Sequence, residues 1–156
     1  MKSWKTADRI LMNFSLALSL LVLLVGLSSK AVGQSPQSTI AIKGYDTVAY
    51  FKAGEAIKGK EQYTFQWHSM VWYFSNKENK DLFETNPEKY APQYDGYCAW
   101  AMTEARKAET DPEIWKIVNG KLYLNCSKAA YEKWSKDIPG NIKKADTNWL
   151  KFSANN

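Results

Sequence analysis

The sequence predicts an α+β fold: a small single domain in which two β-hairpins pack against short helices. Two observations carry this. The alternating run Tyr-Thr-Phe-Gln-Trp at 63–67 is followed, after His68-Ser69-Met70, by a second apolar run at 71–74, the pattern of a half-buried hairpin. Farther along, Asn119-Gly120 separates Ile-Trp-Lys-Ile-Val at 114–118 from Lys-Leu-Tyr-Leu at 121–124, a strong short-range hairpin signature. Helix-forming segments with polar caps follow each hairpin, and that interleaving is α+β. The residues show no internal repeat, low-complexity tract or heptad.

The first segment carries an export pattern. Lys2, Lys5 and Arg9 precede a nearly unbroken apolar core at 16–27, and Ala31-Val32-Gly33 supplies a small-x-small cleavage site. Residues 1–33 are therefore expected to be a signal peptide cleaved after Gly33, leaving an exported product, periplasmic or secreted. An uncleaved anchor would need roughly 18 apolar residues, and Asn13, Ser15 and Ser19 interrupt the run; only uncleaved would the chain meet a membrane. Residues 34–39 read as a polar, disordered leader, 40–152 as the domain and 153–156 as a tail. Of 21 basic and 16 acidic residues, Lys2, Lys5, Arg9, Lys30 and Asp8 fall in the export segment, so the remainder is nearly neutral. A nucleic-acid partner, which calls for a concentrated basic face, is not expected.

Residues 40–51 form an apolar piece too brief for a helix assignment, and 52–62 a loop punctuated by Gly54 and Gly59. Strand 63–67 would put Tyr63, Phe65 and Trp67 on one face. Ser75-x-x-Glu78 fits a capping box opening a helix through Leu82 and Phe83. Asn86 can cap a short helix with Pro87 at its first position. Pro92 then disfavours helix at Ala91, and Gly96 supplies a permissive backbone. Residues 97–102 start another helix with Cys98 in its first turn, where amide donors lower a thiol's pKa. Residues 104–110 are a charged loop. In the second hairpin Ile117 should face Leu122 and Trp115 face Leu124, forming the core side, with Lys116, Val118, Lys121 and Tyr123 on the other. Ser127 caps a helix carrying Ala130, Trp134 and Ile138 at intervals of four. Pro139-Gly140 is expected to break it before a last helix at 141–152.

Several residues carry chemistry. Cys98 and Cys126 permit one disulfide in an exported chain; alternatively Cys98 is buried as a small hydrophobe. Cys98 and Met102, four apart, would share a helical face, and thiolate with thioether suits Cu(I). That site would need His68, Met70 or Cys126 to converge on it. His68, the only histidine, falls in a hairpin turn, where a solvated role outweighs a catalytic triad. Among Asp46, Asp95 and Asp111, the last precedes Pro112 and suits a turn cap, and no spacing argues for paired carboxylates. The chain reads as non-enzymatic. Trp67, Trp72, Trp115 and Trp134 are expected in the core, while Tyr94, Tyr97 and Trp100 are candidates to line a pocket for a flat or sugar-like ligand.

One further pattern spans residues 40–150. It comprises Gly44-Tyr45-Asp46, Val48-Ala49-Tyr50-Phe51, Asn86-Pro87-Glu88-Lys89-Tyr90, Pro92-Gln93-Tyr94, Gly96-Tyr97-Cys98-Ala99, Asp111-Pro112, Trp115-Lys116-Ile117, Asn119-Gly120-Lys121-Leu122-Tyr123-Leu124 and Asp137-Ile138-Pro139-Gly140-Asn141. On these residues the chain resembles the YHS-domain family in its exported, single-domain form. The resemblance implies a treble-clef-like core without the usual cysteines. Better understood relatives are metal-handling modules attached to heavy-metal transporters or oxidoreductases. Their three ligand cysteines fall here on Ala49, Ser75 and Asn79, none of which supplies a thiolate. Cys98 belongs to the exported branch's pattern and Cys126 stands outside it. The implied function is an exported binding or accessory module for a soft transition metal such as copper, held through Cys98 and Met102. The alternatives are a disulfide-stabilised or thiol-redox protein using Cys98 and Cys126, and a non-catalytic interaction domain with an aromatic pocket.

Overall fold

The hairpins form where the sequence puts them, because both turns adopt the left-handed conformation that matches the twist of paired strands. In the first, His68 (φ 48°) and Ser69 (φ 60°) make the turn; in the second, Asn119 (φ 51°) and Gly120 (φ 74°) do so. The structure, a computed structural model, describes residues 39–153. The expected signal peptide with its cleavage site, the leader up to residue 38 and residues 154–156 lie outside the described residues.

The elements are β1 (Thr39–Ile40), α1 (Thr47–Lys52), β2 (Lys60–Trp67), β3 (Met70–Phe74), α2 (Lys77–Thr85), α3 (Pro87–Tyr90), α4 (Ala99–Thr103), β4 (Asp111–Val118), β5 (Lys121–Asn125), α5 (Lys128–Ser135) and α6 (Ile138–Ser153). One sheet has the order β1-β3-β2, with β1 parallel to β3; the other is the β4-β5 hairpin. The fold is α+β, as expected. Ile117 pairs with Leu122 and Trp115 with Leu124.

Several expectations are corrected: Thr39, the end of the expected leader, pairs with Met70 in β1, and β2 begins at Lys60 within the expected loop 52–62. Residues 47–52 do form a helix, because Asp46 Oδ1 accepts the amides of Val48 and Ala49 at its start. Helix α2 is capped by Asn76, whose Oδ1 accepts from Asn79 N at 2.9 Å, and not by Ser75. Both faces of the second hairpin are buried along β5. Leu122 and Leu124 pack with Tyr50, while Tyr123 packs with Tyr94 and Trp134 on the side expected to be wet. Finally, Pro139-Gly140 does not break a helix but lies in the first turn of α6, where proline's missing N–H has no acceptor to serve. Asp137 Oδ1 accepts from Gly140 N at 3.0 Å, so the carboxylate caps that turn.

A repeat absent from the residues is present in the backbone. Two tight turns, Ala41–Gly44 and Gln93–Gly96, each hold two left-handed residues followed by a left-handed glycine. Each leads through Gly-Tyr into a short helix, then a hairpin, then a capped helix. Gly44 thus corresponds to Gly96, Tyr45 to Tyr97, Asp46 to Cys98, α1 to α4, the β2-β3 hairpin to β4-β5, and α2 to α5. The halves are bonded to each other: Tyr50 OH donates to Pro112 O at 2.9 Å, and Tyr45 OH to Glu113 Oε1 at 2.9 Å.

Candidate functional site

The correspondence of Asp46 and Cys98 locates the chemistry. In the first half Asp46 is fully buried. Its Oδ1 caps α1, and its Oδ2 accepts from Ser75 N (2.8 Å), Ser75 Oγ (2.6 Å) and Asn79 Nδ2 (2.7 Å). Ala49, Ser75 and Asn79, where the family's ligand cysteines would fall, therefore all adjoin one carboxylate. Both of its oxygens are engaged, and no soft donor is present; these residues do not fit a soft metal.

In the second half Cys98, Ala101, Cys126 and Ala130 occupy the same places and form one cluster. Cys126 N donates to Cys98 Sγ at 3.1 Å, as Ser75 N donates to Asp46. Cys98 Sγ lies 3.9 Å from Asn125 Oδ1, which also accepts from Trp100 N at 3.1 Å. Cys98 is fully buried and Cys126 half-buried, and both are free thiols. Cys98 sits at the N-cap position of α4 and not within its first turn. The expected lowering of its pKa is reversed: burial pushes the thiol up to about 11, the neighbouring Cys126 thiol adds to the rise, and the Ala101 and Cys126 amides offset only part of it. Asn125 is fully buried, and its Nδ2 has no acceptor.

Met102 does not join this cluster. It is buried among Tyr94, Ala99, Tyr123 and Trp134. His68 stacks on Trp67 at the tip of the first hairpin, with ring centroids 3.7 Å apart. Among the described residues no three His, Cys, Asp or Glu side chains are placed to hold a metal ion together. What the pair itself can do is limited and definite: two adjacent thiols can be oxidised to a disulfide, or as thiolates hold a soft ion in two-coordinate fashion.

The aromatic candidates also separate. Tyr94 lines a cleft of about 230 Å³ with Trp67, His68, Trp72, Glu88, Asp95, Asp146 and Trp149. Tyr97 borders a different depression, beside Ile40 and Lys43. Trp100 lines neither, and the Lys133 ammonium lies 5.9 Å from its ring centroid. Trp149, on α6, was missed by the sequence reading; it lies three residues beyond Asp146 and so shares a helical face with it. The chain matches no family model, no curated protein and no solved structure.

Proposed function

We propose that the chain is a non-enzymatic binding or accessory module of the exported YHS type, with its chemistry in the Cys98–Cys126 pair and a soft monovalent ion such as Cu(I) as ligand. The observation that carries this reading is the 3.1 Å approach of the Cys126 amide to Cys98 Sγ, with the second thiol alongside. Cys126 is thus the soft partner available to Cys98, in place of Met102. Two thiolates are a donor set that selects Cu(I) over harder ions. Half-buried Cys126 offers the approach, while Cys98 anchors from within. Because the Cys98 proton is held tightly, an ion must displace it, and affinity should rise with pH.

The gathering of Ala49, Ser75 and Asn79 around Asp46 supports the family resemblance, since it brings the family's three ligand positions to one place. A second reading rests on the same thiol contact. In an oxidising compartment the pair would lose two hydrogens to an exchanging disulfide and become a staple across a separation of 28 residues, worth roughly 3 kcal/mol.

The test is native mass spectrometry with metal analysis and thiol counting on the exported product, purified without chelator. Bound copper with free thiols, lost in both Cys98→Ser and Cys126→Ser but retained in Met102→Leu, is the expected result. A mass lower by two hydrogens with no free thiol would assign the disulfide instead. No metal and two unreactive thiols would reject both readings.

A further inference from the structure

The cleft lies away from the thiol pair and has a chemistry of its own. Its walls are aromatic: Trp67 and Trp72, 5.8 Å apart between ring centroids, come from the first sheet, and Tyr94 and Trp149, 6.1 Å apart, come from the second half. Trp72 and Tyr94 are buried and form its floor, while Trp67 and Trp149 are half-buried. Around this aromatic space stand Glu88, Asp95 and Asp146, all exposed, with Gln93 and with His68 stacked on Trp67; no lysine or arginine lines it, and the Lys107 ammonium lies 5.6 Å from the Trp149 ring centroid. None of the ion pairs among the described residues includes any of the three carboxylates. Asp146 is held in orientation by Tyr94, whose hydroxyl donates to Oδ1 at 2.8 Å, leaving Oδ2 toward other partners.

Ring faces are electron-rich and attract a cation that has little hydration to lose, and carboxylates nearby strengthen that attraction. A hard metal ion would prefer oxygen ligands throughout and gains little from indole walls. A neutral sugar could use His68, Gln93 and the carboxylates as partners, but it would gain nothing from their negative charge, which favours a cation. A volume of about 230 Å³ holds roughly seven or eight waters at their liquid volume, the size of a small head group. We infer that this cleft binds a small organic cation with a methylated ammonium head, the rings of Trp67, Tyr94 and Trp149 contacting the methyl groups and Asp146 the charge.

The test uses choline and its uncharged isostere 3,3-dimethylbutan-1-ol, which has the same shape without the charge. Both are titrated into the exported product, followed by tryptophan fluorescence and calorimetry. Choline should bind saturably and at least tenfold more tightly than the isostere. Asp146→Asn, which keeps an acceptor for Tyr94 but removes the charge, should weaken choline several-fold and leave the isostere unchanged. Trp149→Ala should weaken both, with circular dichroism reporting that the fold is retained. Vesicles of phosphatidylcholine, added in parallel, separate the two sources of such a head group: sedimentation of wild type but not of Asp146→Asn would place it on a lipid, and its absence alongside choline binding would make the ligand a free molecule. Equal affinity for choline and the isostere would overturn the inference, as would no saturable choline binding at tens of millimolar, or calcium binding lost in Asp146→Asn.

Discussion

The two halves of this molecule solve one structural problem with different chemistry. In each, a side chain at the start of a short helix must reach the residue that follows the hairpin. In the first half the side chain is Asp46, whose two oxygens receive five hydrogen bonds. In the second it is Cys98, which receives the Cys126 amide at 3.1 Å and has a thiol and the Asn125 side chain as neighbours. The first arrangement is saturated and can only hold structure. The second leaves two unoxidised thiols and the Asn125 amide donor uncommitted. The same backbone position therefore holds a saturated carboxylate in one half and a buried neutral thiol in the other, according to how many donors its side chain must satisfy.

The comparison can be broken most severely at its saturated end. Asp46→Ala should cost about 4 kcal/mol in urea denaturation, since it strands several buried donors at once. Cys98→Ala in the reduced chain should cost only about 1–2 kcal/mol, the loss of a small buried group. Similar losses at the two positions would mean that the carboxylate network does not hold the first half together.

A smaller effect sharpens the contrast through pH. The Cys98 thiol titrates near 9 when unfolded and is pushed up to about 11 when folded. The unfolded state therefore ionises first. The associated stability is intact below about pH 9 and drains away as pH climbs toward 11. Tyr123, pushed up to about 12 by burial, extends the decline. Urea midpoints at pH 8 and pH 10.5 should show the reduced wild type losing more than Cys98→Ala over that interval. An unchanged gap between the two proteins would mean that Cys98 is not held as a buried neutral thiol.

The smallest effect concerns the turns. Both are left-handed, but the second uses glycine at its second position and the first uses Ser69 at φ 60°. A side chain there is strained, so Ser69→Gly should raise stability by about 0.5–1 kcal/mol. No gain in the thermal midpoint would show that the rest of the hairpin compensates for the strain.

Much of this fold was legible because its cues are local. Asn119-Gly120, the Asn86-Pro87 helix start and the Ser127 cap each depend on a few adjacent residues, and each is found where it was read. The misreadings arose where a distant partner decided. Ser75 has the credentials of a cap, yet Asp46 draws its hydroxyl away and Asn76 takes the role. Tyr123 alternates onto the expected wet face, but Trp134 on α5 and Tyr94 cover that face. Pro139-Gly140 reads equally as the end of one helix or the first turn of the next, and Asp137 decides it. The internal repeat was invisible because only Gly-Tyr and an alanine four residues after the Tyr (Ala49, Ala101) recur at its centre, while the residue after Tyr is aspartate in one half and cysteine in the other. For the candidate sites, the sequence singled out Cys98, Cys126 and Tyr94. It offered no way to see that Met102 would turn into the aromatic core or that Trp149 would complete a cleft assembled from both halves.

Helix α6 links that cleft to the order in which the chain is made. It contributes Asp146 and Trp149 to the cleft walls, and Asn148 Nδ2 donates to the carbonyls of Met102 and Thr103 at the end of α4. Synthesis runs from the N-terminus, so both hairpins and the thiol pair exist on the growing chain before these residues do. The residues of the thiol pair therefore precede the last wall of the aromatic cleft in the chain, although α4 itself packs on α6. The docking of one late helix would then complete the cleft and close the end of α4 in the same event.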